Sequence, residues 1–455
     1  MTLDDPSIPH LSRRRLIVGG TAGLATVAVG GASLLFAAPS AADTAARRRP
    51  EDLDGELAMS WFDLVRTLVR TTPGFSPPVA SRVFAYAGIT LYEAVVPGAR
   101  HHRSLHGALP GLPRLPHRNA GDWQVVANAA LGGIVARLFP MRVDLVEELE
   151  ATLLTHIGSG GSPAVVHRSV ERGRAVARAI FHWSRDDGGH EGYLSNFPSS
   201  YVPPTGAGLW VPTPPAHQPA LQPYWGANRC FAIAAPDAVV AGQPTPYDEA
   251  TDSAFGADAA VVRDTVNRRD PEEADIARFW SDDPAATSTP PGHSVSIATQ
   301  VLRGERASLL RAAETYAKVG IAVADAFISC WHRKYSENVL RPVTHIQRHL
   351  EADWLPLLTT PPFPEYPSGH SVQSAAAAEV LTDLFGDGYR FEDRTPADHP
   401  NSGLAPRHFD SFRQAAHEAA MSRLYGGIHF LPAIEHGLAH GRLVGTAVNA
   451  LPVRD

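Results

Sequence analysis

The sequence predicts an all-α protein, a helical bundle with one long irregular insertion. Three observations predict it. Most apolar residues recur at three- and four-residue spacing, the period of one helix face. No stretch alternates apolar and polar residues as a half-buried strand does. Between about Asp186 and Pro290 the periodicity fades, and Pro, Gly, Asn and Tyr become dense, as in Tyr201-Val202-Pro203-Pro204 and Pro212 to Pro215.

Helical periodicity runs over 57–70, 79–96, 123–139, 145–157 and 162–183. Short helices are expected inside the irregular stretch at 248–269 and 271–280. The pattern returns at 295–333, with one break near Gly304 or Gly320, and again at 369–385, 408–424 and 432–451. The expected organisation is a signal at 1–42, a linker at 43–53, an N-terminal helical bundle at 54–185, the irregular segment at 186–294 and a C-terminal helical bundle at 295–455. A loop-rich segment of that length is a candidate lid or interface, and a homodimer formed through it is left open.

The N-terminus carries an address. Ser12-Arg13-Arg14-Arg15-Leu16-Ile17 fits the twin-arginine export pattern, and an uncharged Ala- and Gly-rich stretch follows to Ala42. The small residues that end it suit cleavage better than a permanent anchor, so the mature protein is expected in the periplasm or outside the cell. After residue 50 no apolar run of membrane-spanning length is expected.

Composition excludes several classes. The chain has 455 residues, 44% hydrophobic and 19% charged, and a net charge of −7. It therefore lacks the basic footprint of a nucleic-acid partner. Its two cysteines, Cys230 and Cys330, cannot build a disulfide framework or a zinc site by themselves. They are expected as buried thiols, with mutual pairing an alternative after export.

Chemistry concentrates in three short segments. Lys334 and Arg341 lie seven residues apart, which on one helix puts both on the same face, and Pro342 ends or bends that helix. Two cations on one face repel unless an anion lies between them. Pro367-Ser368-Gly369-His370 opens a small-residue helix. There Ser368 is an N-cap residue, Gly369 permits close approach to the backbone, and the first-turn amides attract an anion. Ser422-Arg423 closes another helix, and Gly426-Gly427 turns the chain so that His429 faces back. Each segment alone reads equally as a solvated helix end, a capped helix or a helix joint. Together they supply three cations, a helix N-terminus and two histidines, which suits a tetrahedral oxyanion. Pro290-Pro291-Gly292-His293 echoes the second segment without an assigned role.

The order Lys-x6-Arg-Pro, Pro-Ser-Gly-His, Ser-Arg-x5-His resembles the three-part signature of vanadium-dependent haloperoxidases and type 2 phosphatidic acid phosphatases. It spans Lys334 to His429; residues 50–300 carry no comparable motif. The resemblance implies the helical-bundle fold of that superfamily, and a vanadate cofactor for which phosphate competes. It implies that Lys334, Arg341 and Arg423, with Ser368 and the Gly369 amide, bind the equatorial oxygens. It makes His429 the ligand of vanadium, or the nucleophile of a phosphatase, and His370 the acid/base. In a haloperoxidase the partners are hydrogen peroxide, a halide and a small organic substrate. Vanadate acts there as a Lewis acid, with Lys334 hydrogen-bonding the bound oxidant.

Trp331 and Phe363 resemble the aromatic wall of vanadium chloroperoxidases, which favours the haloperoxidase branch over a secreted acid phosphatase, and Phe363, at a position where a histidine would suggest bromide, points to chloride competence. Phe279 to His293 resembles a stretch of soluble bacterial haloperoxidase-like proteins. One position departs: where both families often carry an Asp four residues after the apical histidine, this chain has Ala433. Glu435, His436 or a backbone carbonyl is expected to orient His429 instead, and Asp282 or Asp283 to back His370.

Overall fold

The computed structural model describes residues 48–115, 121–157, 162–396 and 403–454; the expected twin-arginine signal lies outside them. Among the described residues the chain forms thirteen α-helices and a single small sheet. The helices are α1 (Glu56–Thr71), α2 (Pro77–Val95), α3 (Trp123–Leu138), α4 (Val143–Ile157) and α5 (Pro163–Ser184). Then come α6 (Ala254–Asn267), α7 (Pro271–Phe279), α8 (Thr289–Gly304), α9 (Leu309–Glu337) and α10 (Pro342–His349). The last are α11 (Gly369–Phe385), α12 (Phe412–Tyr425) and α13 (Leu431–Asn449). Residues 185–253 carry no α-helix, only turns, two three-residue 3-10 helices (Gly192–Leu194 and Trp225–Ala227) and an isolated bridge from Leu209 to Val339, as their composition predicts.

Two expectations need correction, and a third is narrowed to one of its two alternatives. The helix expected at 408–424 starts later, because Arg407–Phe409 pairs antiparallel with Phe391–Asp393 as β2 against β1. These strands are three residues long, too short to show alternation. The run at 295–333 breaks at Gly304, while Gly320 stays inside α9. There a Cβ would stand 2.6 Å from the Phe84 carbonyl oxygen, and one at Gly88 would stand 2.3 Å from that of Tyr316. The two glycines thus let α2 and α9 cross backbone to backbone. Finally, Pro77–Gly98 has the length and mean hydropathy (1.3) of a membrane span, yet every residue of its apolar window is buried by neighbouring helices. A helix apolar on all sides suits the centre of a large body as well as a bilayer.

One apolar core runs from Leu53 to Val453 and crosses the boundary expected near residue 295. A second, smaller core gathers Phe255, Leu340, Val343, Ala420, Phe430 and Ile434. The three motif segments lie beside these cores, so apolar packing fixes their backbone. Cys230 and Cys330 are buried and free.

Candidate active site

The segment Phe363–Gly369 organises the site. It is rich in proline and exposes backbone carbonyls that no helix ladder satisfies. Lys334, fully buried near the end of α9, donates to three of them: the oxygens of Pro364 (3.0 Å), Glu365 (2.8 Å) and Pro367 (2.6 Å). An ammonium group has three hydrogens, so all are engaged and Lys334 acts on the cavity through its charge.

Arg341 does not share a helix face with Lys334, as the spacing suggested. The helix α9 ends at Glu337, and Asn338 takes a left-handed conformation (φ 49) that turns the chain back. Arg341 then stands extended before α10, and is also fully buried. Its Nε donates to the Phe363 carbonyl (2.8 Å) and its Nη1 to the Ile428 carbonyl (2.9 Å), while Nη2 is buried without a partner.

Ser368 caps α11 as expected, its hydroxyl accepting from the Ser371 amide (3.3 Å). Space is open above Gly369: a Cβ there would meet nothing nearer than Trp331 at 3.6 Å. On α12, Arg423 lies in the last turn and donates through Nη2 to the carbonyls of Trp280 (2.9 Å) and Ala277 (3.2 Å). The turn after it needs Gly427, at φ 76, where a Cβ would also stand 2.9 Å from Val266.

His429 is oriented by a residue that sequence reasoning missed. Its Nδ1 lies 2.7 Å from Glu365 Oε1, which also accepts the Phe430 amide (3.0 Å). Glu435 is exposed, and His436 bonds the Tyr366 hydroxyl (3.1 Å), so neither fills that role. Nor can position 433 accommodate a longer side chain easily: Ala433 is buried, and its carbonyl accepts the Ser368 amide (3.0 Å). The available signal was Glu365 itself, an acid inside Pro361-Pro362-Phe363-Pro364-Glu365-Tyr366-Pro367.

Both histidines are held neutral. Burial, then Arg341, Lys334 and Arg423, push His429 well below the usual imidazole range. With Nδ1–H given to Glu365, Nε2 keeps its lone pair and faces Arg341 Nη1 at 3.2 Å. His370 is likewise pushed down by burial and Arg423. It bonds the Trp280 carbonyl, and its Nε2 is buried without a partner. Neither expected carboxylate supports it. Asp282 pairs instead with His293 (2.8 Å), and Asp283 stands in the field of Arg423. Asp282 lines the cavity beside Asp283, but its carboxylate is committed to His293.

These groups open on a cavity of about 540 Å³. Gly369, His370, Arg423 and His429 line one end, and Trp331, Phe363, Phe327 and Leu221 form an apolar wall. The rings of Trp331 and Phe363 lie 4.9 Å apart, with the Lys334 ammonium 5.1 Å from the Phe363 ring centre. The loop between α1 and α2, Asn196, Phe197 and the segment Ser281–Ala285 complete the mouth, so the irregular insertion forms part of the site.

The donor set fits a tetrahedral oxyanion such as vanadate. Lys334 and Arg341 face Glu365, Arg423 stands near Asp282 and Asp283, and Arg341 Nη2 and His370 Nε2 are buried without partners. Among the described residues no group of three His, Cys, Asp or Glu side chains is arranged to hold a metal cation.

The same charges set a pH dependence. Burial lowers Lys334 to about 7 and raises Glu365 to about 7. As pH rises through 7, Lys334 loses a positive charge and Glu365 gains a negative one; both changes make the cradle less attractive to an anion. The pair titrates as a unit. Sulfate keeps its charge across this range, so its affinity, measured by calorimetry, is expected to fall by up to ~10-fold per pH unit for each proton lost. Lys334→Met is expected to make that slope shallower. An affinity flat from about pH 6 to 9 contradicts the assignment.

A family model described as the VCPO second helical-bundle domain matches residues 314–452, which contain all three motif segments. No curated protein sequence matches the chain. Among solved structures, a bacterial vanadium-dependent iodoperoxidase superposes with a TM-score of 0.80 and 37% identity, covering 87% of this chain and 96% of that one. The holo-type bacterial vanadium-dependent chloroperoxidase gives 0.67 and 17%, covering 85% and 93%, and the apo type 0.63 and 18%, covering 84% and 95%. At those identities the chloroperoxidases support the fold alone. The likeness to the iodoperoxidase extends through sequence as well as shape and over almost all of that protein, which makes the chain a member of the vanadium-dependent haloperoxidases.

Proposed function

We propose that this haloperoxidase takes iodide as its preferred halide, and that Arg341, Arg423, Ser368 and the Gly369 amide would hold the oxygens of vanadate while His429 would ligate the metal through Nε2. The observation that carries the assignment is the pair of neutral histidines that line the cavity with Arg423, with Arg341 and Lys334 buried close enough to hold His429 neutral. Vanadate, when bound, supplies a Lewis-acid centre that needs no change of oxidation state.

The chain's own residues do the rest. Arg341 and Arg423 neutralise the oxyanion and fix its orientation with groups already tied to backbone carbonyls, so little reorganisation is needed. Lys334 adds charge from behind the Phe363–Gly369 segment. His370, neutral and with an unpartnered Nε2, is placed to accept a proton from incoming hydrogen peroxide. The apolar wall of Trp331 and Phe363 keeps water from the oxidised halogen. Phe363 alone pointed to chloride; the iodoperoxidase relative favours iodide, the halide that yields electrons most readily. No observation favours the phosphatase reading.

The test is peroxide-dependent iodination, bromination and chlorination, with and without vanadate, beside phosphate-ester hydrolysis. Iodination that requires vanadate and is suppressed by phosphate is the expected result. Faster chlorination than iodination overturns the halide assignment, and vanadate-inhibited ester hydrolysis without halide oxidation overturns the whole reading. We also propose that the protein is exported by the twin-arginine route, on the Ser12 to Ile17 pattern. N-terminal sequencing of protein recovered outside the cytoplasm checks it; an N-terminus at Met1 refutes cleavage.

A further inference from the structure

Behind the cavity wall lies a buried ionic chain that the reaction does not use directly. His293, in the first turns of α8, is 1% exposed and does not line the cavity. Its Nδ1 lies 2.8 Å from Asp282 Oδ2 and its Nε2 2.6 Å from Asp393 Oδ2. Carboxylates only accept, so both ring nitrogens must carry hydrogen, and His293 is an imidazolium between two anions. Asp393, on β1, is fixed in turn by the Thr395 amide (2.9 Å) and by Gln300 (3.3 Å). The His293 ring also stacks on Trp280, with centres 4.4 Å apart and planes 18° from parallel.

This arrangement meets the active site along the 280–285 segment, where Asp282 lines the cavity and stands in the field of Arg423. The Trp280 carbonyl accepts from both Arg423 and His370. The chain that follows it is strained: Asp282, Ala285 and Thr289 all have left-handed φ values (51, 68 and 66) without being glycine. Such conformations persist only where the surroundings over-determine them, and they cluster at functional sites. The same segment, Ser281 to Ala285, forms part of the cavity wall.

We propose that Asp282–His293–Asp393 is a positioning clamp: it pins the strained 280–289 segment to α8 and β1, and through the Trp280 carbonyl it sets the orientation of the His370 ring and the Arg423 guanidinium. The inference rests on the oxyanion cradle and extends it to His293 and Asp393, which lie outside the cavity. It also gives a role to Pro290-Pro291-Gly292-His293, whose likeness to the Pro-Ser-Gly-His segment is one of sequence and not of task.

Two variants test it. His293→Gln removes the charge and one of the two hydrogen bonds. Asp282→Gly removes the clamp's grip on the loop while relieving its left-handed backbone, so it is not expected to unfold the protein. Vanadate and sulfate affinities are measured by calorimetry on the full-length protein without peroxide or halide, beside thermal unfolding and turnover. Each variant is expected to weaken vanadate binding by ~10-fold or more and to lower kcat more than it raises KM. Asp282→Asn, which keeps an acceptor and tolerates left-handed φ, is expected to recover most of what Asp282→Gly loses. Lower stability with unaltered vanadate affinity and kcat would reduce the triad to a structural tie and overturn the proposal. If the wild-type protein binds no vanadate, the cradle reading falls and the proposal with it; if wild type binds and both variants match it, the proposal alone falls.

Discussion

His429→Ala is expected to remove peroxide-dependent halide oxidation by at least about a thousandfold, the scale seen when an essential group is deleted from a preformed site. The fold is expected to survive. The side chain bonds only Glu365 and Arg341, and Arg341 keeps its bonds to the Phe363 and Ile428 carbonyls when the ring is gone. The change should also separate two kinds of anion binding. Sulfate, which needs only the cations and the amides of α11, should bind the variant nearly as well as wild type. Vanadate, which gains a bond to Nε2, should bind it more weakly. Added imidazole, small enough for a cavity of about 540 Å³, should restore part of the turnover. Full activity in His429→Ala, or equal losses for sulfate and vanadate, would remove His429 from the apical position.

How much of this was legible in the sequence follows from the range of each interaction. Helices show in a single sequence because their apolar period is local, and α11 starts at Gly369, the residue where the Pro-Ser-Gly-His segment places it. The motif residues Lys334, Arg341, Ser368, Gly369, His370, Arg423 and His429 all converge, but not by the route the spacing implied. Seven residues meant one helix face only if the helix continued, and Asn338 in a left-handed conformation ends it first. Strands of three residues leave too few positions for alternation to register. The partners of the histidines were illegible for a different reason. Glu365 reaches His429 across 64 positions, and Asp393 reaches His293 across 100. Such pairs are set by how α8, α11 and α13 stack, and no local period encodes that stacking. Asp282 shows the same limit at short range. The sequence marked an acid near the site, and Asp282 does line the cavity, but its carboxylate bonds His293 rather than His370.

Glu365 carries the second large effect, and its two roles pull anion binding in opposite directions. Among the described residues it is the carboxylate that acts on both Lys334 and Arg341, each fully buried. Glu365→Ala leaves those charges uncompensated, and the expected loss of stability is about 3–5 kcal/mol, the scale of breaking a buried pair from one side. Glu365→Gln keeps an oxygen where His429 Nδ1–H and the Phe430 amide can still donate, so it should unfold far less readily. At pH 8 the wild-type carboxylate, with its pKa near 7, is mostly ionised. Removing that charge brings the cradle closer to its low-pH state. Sulfate should therefore bind Glu365→Gln more tightly than wild type, and the pH slope of its affinity should become shallower. Vanadate also depends on the basicity and orientation of His429, which a charged acceptor at Nδ1 raises; losing such a partner typically costs 10–100-fold. The ratio of vanadate to sulfate affinity should thus fall in Glu365→Gln, and further in any Glu365→Ala protein that can be recovered folded. If both anions bind more tightly by the same factor, Glu365 acts only as a nearby charge, and His429 is oriented by the surrounding backbone alone.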